Sequence, residues 1–170
     1  MEFEECRHLL LEGLIYIPKF ISVAEEQQLL QFIDSRKWSN DLERRTQQDG
    51  HKFNYKTEKL EPLPEPHNQI PQEFNGIIDR MRAQRYPHEV DQTIINEDVG
   101  GQGIGAHIDL DPDFRDAVGS ISLNGWCTMV FHPGAHVQAR KAIKIFFAPC
   151  SLLLLRGEAR HGWAHNIPKT

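Results

Sequence analysis

The sequence predicts an α+β protein in which two N-terminal helices cover a β core of the barrel or sandwich type. Three observations carry this expectation. Two stretches of helical apolar spacing precede Pro87, short β-type runs separated by turns follow Thr93, and no repeat, linker or low-complexity tract divides the chain. Its 170 residues suit one domain, spanning residues 1–170.

Taken in order, Gly13-Leu14-Ile15-Tyr16-Ile17-Pro18 reads as a short strand. Ser22-Val23-Ala24-Glu25 has the spacing in which Ser caps the first helical amides and Glu reaches back, and Leu29, Leu30 and Ile33 follow at helical intervals, so a helix is expected over about 22–36. Residues 36–66 lose periodicity and end in Pro62, Pro64 and Pro66, which predicts a long, partly ordered excursion. A second helix starts at Pro71, carries Phe74, Ile77, Ile78 and Met81 on one face, and stops before Pro87. The β-type runs are Thr93–Asn96, Val118–Leu123, Trp126–Phe131, Ile143–Phe147, Ser151–Leu155 and Trp163–Ile167. Trp126, Phe131, Phe146 and Phe147 are expected in the core.

Composition narrows the class. The acidic start Met1-Glu2-Phe3-Glu4-Glu5 is unlike a signal peptide, and no apolar run reaches the ~20 residues that span a bilayer. A cytoplasmic monomer without membrane contact is expected, with the nucleus as the alternative location. Cys6, Cys127 and Cys150 form neither a disulfide framework nor a C-x-x-C pair. A net charge of −5 argues against a generic polyanion binder.

The chemistry concentrates at Gly105-Ala106-His107-Ile108-Asp109. On an extended chain, His107 and Asp109 point to one side and Ile108 to the other. One more His from a neighbouring strand would complete a two-His, one-carboxylate triad, which leaves open positions on Fe(II). Alone the tripeptide is a weak signal. His132, His136, His161 and His165 are all candidates for the third ligand, and spacing does not choose among them. A Pro-Gly turn beside His132 and His136 favours exposed loop histidines there.

The ordered set of segments is more specific. Ile94-Ile95-Asn96, the turn Gly100-Gly101-Gln102-Gly103-Ile104, His107-Ile108-Asp109, Ser120-Ile121-Ser122-Leu123, and Gly157-Glu158-Ala159-Arg160 leading to Trp163-Ala164-His165-Asn166-Ile167 together resemble the AlkB family of Fe(II)/2-oxoglutarate-dependent dioxygenases, in particular the oxygenase domain of its tRNA-modifying branch. The resemblance implies a double-stranded β-helix, or jelly-roll, core. It further implies His107, Asp109 and His165 as catalytic metal ligands, Asn96 as a 2-oxoglutarate contact, and Fe(II), 2-oxoglutarate and O2 as cofactor and co-substrates. The implied reaction is hydroxylation of a C–H bond. On an N-methylated base the product would release formaldehyde.

Two departures from the family pattern stand out. Asp98 occupies a position where the family usually has a co-substrate-contacting Tyr. The arginine signature expected downstream of the second ligand His does not occur before Thr170, so the C-terminal end of the family domain is expected to be missing, together with its main 2-oxoglutarate anchor and a closing strand. Arg156, Arg160 and Lys169 lie nearby in sequence without an assigned role.

The resemblance makes residues 36–66 a candidate substrate lid, where Gly50-His51-Lys52-Phe53-Asn54-Tyr55 is similar to the family's Gly-x-x-Phe-x-Tyr segment; the alternative is a solvated loop whose aromatics pack on the core. Residues 36–59 carry seven basic against four acidic side chains, a local +3 in an acidic chain. Arg44, Arg45, His51, Phe53 and Tyr55 are thus candidate nucleic-acid contacts, the cations for phosphate and the rings for bases. Asp111 is a candidate hydrogen-bonding partner for a substrate base. The expected function is hydroxylation or oxidative demethylation of nucleic acid, either RNA such as tRNA or alkylated DNA bases. An oxygenase acting on protein or small molecules, favoured by the pI of about 6.0, and a catalytically impaired metal-binding homologue are the alternatives.

Overall fold

The structure is a computed structural model that describes residues 6–7, 11–84, 86–109, 114–134 and 142–169. In chain order it forms β1 (Cys6–Arg7), β2 (Leu14–Ile17), α1 (Val23–Asp34), β3 (Arg45–Asp49), β4 (His51–Asn54), β5 (Lys59–Pro62), a 3-10 turn (Gln72–Phe74), α2 (Asn75–Ala83), β6 (Thr93–Glu97), β7 (Ile104–His107), β8 (Ala117–Ile121), β9 (Cys127–Pro133), β10 (Ile143–Phe147), β11 (Leu152–Arg156), α3 (Gly157–His161) and β12 (Trp163–Ile167). No helix among the described residues is long and apolar enough to cross a membrane. The chain divides into two compact units, Met1–Leu30 with Gly103–Thr170, and Gln31–Gln102.

The first unit holds the β core. One antiparallel sheet runs β1-β2-β11-β8 and a second runs β10-β9-β12-β7. Side chains alternate along each strand, so each sheet presents an apolar face. Leu14, Leu153 and Leu155 from the first sheet meet Met129, Phe131, Ile145 and Phe147 from the second in one cluster. This is the jelly-roll arrangement that the family resemblance implies. Gly13 permits the close approach that starts β2. Its φ is +85°, and a Cβ there would lie 1.9 Å from the Arg156 carbonyl oxygen.

Helix α1 begins as its capping box requires. The Ser22 hydroxyl accepts from the Glu25 amide at 3.2 Å, and the Glu25 carboxylate accepts from the Ser22 amide at 2.8 Å. Leu29 and Ile33 are buried, the 3-10 turn buries Phe74, and α2 buries Ile78 and Met81.

The second unit departs from expectation. Residues 36–66 contain three strands rather than a partly ordered excursion. β3 pairs with β6 from Arg45↔Glu97 to Asp49↔Thr93, and β4 pairs with β5. Apolar alternation is absent because polar side chains hold the register. Thr46, Gln47 and Asp49 are all buried. Gln47 Nε2 donates to the Ile33 carbonyl at 2.8 Å, the Gln48 side-chain oxygen accepts from the Phe53 amide at 2.6 Å, and Asp49 accepts from Arg36 and from the Thr93 hydroxyl. Trp126 and Phe146 also differ from expectation. Phe131 and Phe147 are buried, but Trp126 and Phe146 stand exposed, because Phe146 occupies the outward phase of β10.

Candidate metal centre

Strand β7 ends at His107, with Asp109 two residues beyond, and β12 brings His165 directly opposite His107. Gly103 lets β7 come this close to the end of β12. A Cβ at Gly103 would lie 2.5 Å from the Ile167 carbonyl oxygen and 2.9 Å from the Lys169 amide nitrogen.

His107, Asp109 and His165 each offer a ligand atom, and these atoms lie within 4.8 Å of one another. His107 Nε2 is 3.4 Å from one Asp109 carboxylate oxygen and His165 Nε2 is 3.9 Å from the other. The two imidazole rings are 4.5 Å apart between centroids. His107 Nδ1 lies 2.8 Å from the Gly105 carbonyl. A carbonyl only accepts, so Nδ1 carries the hydrogen and Nε2 is left to face the cluster.

Electrostatics prepare the same atoms. Burial lowers the His165 imidazole to about 4, a trend that Asp109 opposes and that His107 and Arg160 reinforce. His165 is therefore neutral near pH 7 and needs no deprotonation to donate its lone pair. Burial pushes the Asp109 carboxyl up, but the contacts with His107 and His165 and the Arg160 cation outweigh it and hold the carboxyl below its usual range. The neutral His165 imidazole, the Nε2 of His107 and the Asp109 carboxylate form a donor set suited to Fe(II).

Register also separates the other histidines. On β9, Phe131 pairs with His165 while His132 pairs with Ala164, so His132 faces away from the cluster. His132 is not an exposed loop residue: it is buried within the strand, its Nε2 2.9 Å from the Asn166 side-chain oxygen. His161, on α3, lies 3.8 Å from an Asp116 carboxylate oxygen. His136 and Asp111 lie outside the described residues, as does the side chain of Cys6.

Arg160 is the residue that sequence reasoning left without a role. It is 2% exposed, and its Nη1 donates to the Asp109 main-chain carbonyl at 2.7 Å. The Gly157-Glu158-Ala159-Arg160 segment was the available signal.

Within the second unit, the candidate lid residues are tied to one another. Arg44 Nε donates to the Asn96 side-chain oxygen at 2.8 Å, and its guanidinium lies over the Tyr55 ring at 5.6 Å. Arg45 forms a two-point ion pair with Glu97 at 2.9 and 2.6 Å and stacks on Trp38. Phe53 is buried, edge-on to Tyr55 at 5.1 Å, and His51 Nδ1 lies 3.4 Å from the Asp91 carbonyl.

The family model described as the 2OG-Fe(II) oxygenase superfamily matches residues 13–170. The chain belongs to this superfamily. Its members use Fe(II) and 2-oxoglutarate with O2, and the His107–Asp109–His165 cluster is a donor set that fits such a centre. Similar sequences are AlkB homologues. An Arabidopsis thaliana protein named "Alkylated DNA repair protein ALKBH8 homolog" is 34% identical over 93% of this chain and 51% of its own length. The Macaca fascicularis "tRNA (carboxymethyluridine(34)-5-O)-methyltransferase ALKBH8" is 32% identical over 91% of this chain and 24% of its own length. A mimivirus protein named "Uncharacterized protein L905" is 30% identical over 98% of this chain and 78% of its own length. This chain therefore spans about half the Arabidopsis relative and about a quarter of the macaque one. In fold it is similar to "The structure of OsALKBH1", with a TM-score of 0.75 over 99% of this chain and 88% of that one at 15% identity. It is an AlkB-like Fe(II)/2-oxoglutarate-dependent dioxygenase domain with a jelly-roll core.

Proposed function

We propose that this AlkB-like domain hydroxylates or oxidatively demethylates bases of nucleic acid, either RNA such as tRNA or alkylated DNA. The observation that carries the reading is the His107–Asp109–His165 cluster on a chain whose relatives bear names tied to alkylated DNA and to tRNA. The methyltransferase named for the macaque relative is not carried over, because the matched region is 24% of that protein.

In this reading His107, Asp109 and His165 hold Fe(II), which with 2-oxoglutarate and O2 supplies oxidation of a C–H bond to an alcohol. The chain supplies position and protonation state. Gly105 fixes the tautomer of His107, burial keeps His165 neutral, and Phe131, its ring 5.9 Å from that of His165, shields the latter from water. Asn96, held by Arg44, is the candidate contact for 2-oxoglutarate. Arg44, Arg45, His51, Phe53 and Tyr55 are the candidate substrate contacts of the second unit, Tyr55 and Arg44 offering a ring and a cation side by side.

The test is succinate formation from 2-oxoglutarate with Fe(II), measured with and without tRNA, single-stranded RNA and N-methylated oligonucleotides, together with formaldehyde release. Stimulation by nucleic acid is expected. A second reading, oxygenation of protein or small molecules, is favoured by the pairing of Arg36 with Asp49, Arg45 with Glu97 and Lys52 with Asp41, which neutralises much of the local positive charge. Succinate formation stimulated only by non-nucleic substrates would decide for it.

A further inference from the structure

In the first unit, away from the β7–β12 pairing that gathers the metal cluster, two large rings stand in solvent at the far edge of the same sheet. Trp126 is 64% exposed and Phe146 58% exposed, and their rings lie 5.3 Å apart at 32°. The register explains the stack. Phe146 pairs with Thr128 across β9 and β10, so Trp126, two residues before Thr128, is its diagonal neighbour on the outward face. Lys144 is exposed two residues along β10 on the same face, about 7 Å away at the rise of a strand.

Charge selects the occupant. From Ala117 to Gly157 the sequence contains no Asp or Glu and four Lys or Arg, in a chain whose net charge is −5. Such a stretch attracts a polyanion, and the acid that meets it, Glu26, is buried and accepts from the Asn124 amide at 2.8 Å. Area argues against a protein partner. Two rings of about 150–250 Å² each, only partly exposed, fall well short of the ~800 Å² that each side of a standard protein interface buries. They match one or two stacked bases, with Lys144 within reach of the adjoining phosphate.

We propose that Trp126, Phe146 and Lys144 form a stacking platform for single-stranded nucleic acid on the face of the sheet turned away from the metal cluster, where it holds a part of the substrate strand remote from the base to be modified. The role of the platform in holding a substrate strand rests on the function proposed above. Its existence as a binding site does not, because binding is measured without metal or 2-oxoglutarate.

The experiment is fluorescence anisotropy of the full chain with labelled oligo(U) and oligo(dT) at low salt. Thermal melting establishes that each variant is folded. Trp126→Ala and Phe146→Ala should each weaken binding about tenfold, Trp126→Phe should retain most of it, and Lys144→Glu should weaken it and flatten the salt dependence. Wild-type tryptophan emission should be quenched by the oligonucleotide, and Trp126→Phe should lose that quenching. Arms with oligo(U) and oligo(dT) distinguish RNA from DNA as the preferred strand. Unchanged affinity in folded Trp126→Ala and Phe146→Ala overturns the platform, even if nucleic acid stimulates turnover. Concentration-dependent dimerisation of the wild type, abolished in Trp126→Ala without loss of oligonucleotide affinity, also overturns it in favour of self-contact. Loss of affinity in these variants, with no stimulation of turnover by any nucleic acid, upholds the platform and sinks the catalytic reading alone.

Discussion

Replacing Arg160 by Met tests how the buried surroundings of the metal cluster work. Arg160 is 2% exposed and donates from Nη1 to the Asp109 carbonyl at 2.7 Å, so it holds the backbone of a ligand from behind. It is also a positive charge that lowers both the Asp109 carboxyl and the His165 imidazole. These roles have opposite consequences for a bound cation. As a charge, Arg160 repels the metal, and its removal would tighten binding. As a strut it fixes Asp109, and its removal loosens binding. Leaving the Asp109 carbonyl without this donor costs about 1–3 kcal/mol, and loss of a supporting contact behind a ligand typically costs 10–100-fold in metal affinity. Met keeps most of the volume, so the variant should fold with a modest loss of stability. Mn(II), a redox-inert stand-in, titrated under anaerobic conditions and followed by its EPR signal, should bind Arg160→Met about 10–100-fold more weakly than the wild type. Arg160→Lys, which keeps the charge but not the planar fork, should fall on the same side. Wild-type or tighter Mn(II) binding in a folded Arg160→Met would refute the strut.

Alanine at His107, Asp109 or His165 should each reduce Mn(II) affinity by about 100-fold or more while leaving the far-ultraviolet circular dichroism native, and His161→Gln should stay within about twofold of wild type. The metal-free protein should lose stability on acidification. Folded His165 titrates at about 4 against 6.5 in a free imidazole, so the unfolded chain takes up this proton first, and about 3 kcal/mol is lost as the pH falls from about 6.5 to 4. Asp109, whose folded carboxyl is lowered, adds a loss of the same sign at lower pH. Urea unfolding at pH 7 and pH 4.5 should show this dependence in the wild type and a flatter one in His165→Gln, and equal dependence would count against the burial argument. Gly103→Ala places a Cβ 2.5 Å from the Ile167 carbonyl oxygen and should cost about 1–3 kcal/mol in urea unfolding, together with weaker Mn(II) binding.

The β core was legible because its strands obey the simplest rule available to a sequence. Phe131, Ile145, Phe147, Leu153 and Leu155 recur at the period of a strand and meet in one cluster. The Ser22 capping box is as local as a signal can be and forms as read. Residues 36–66 were not legible for the opposite reason. Their strands are stabilised by buried Gln47 and Asp49, whose partners Ile33, Arg36 and Thr93 are set by tertiary structure and not by spacing. A buried polar side chain looks like a surface residue until its partner is known. Trp126 and Phe146 fail in the complementary way. Hydrophobicity predicted burial, and only the pairing of β9 with β10 shows the outward phase.

The candidate site divides along the same line. His107 and Asp109 were readable as a pair because two residues on one extended chain share a face. Their partner was not, since His132, His161 and His165 differ only in register and secondary structure. The pairing of β7 with β12 puts His165 opposite His107, the alternation of β9 turns His132 outward, and helix α3 carries His161 to Asp116. The resemblance to AlkB-like enzymes supplied what spacing could not. For Arg160, even the resemblance assigned no task, because its contact is to a main-chain carbonyl, which any residue at position 109 would provide. What makes that contact consequential is that Asp109 carries it. A ligand held through its backbone leaves its carboxylate free to engage a metal, which is why Arg160 can support Asp109 without competing for the ligand oxygens.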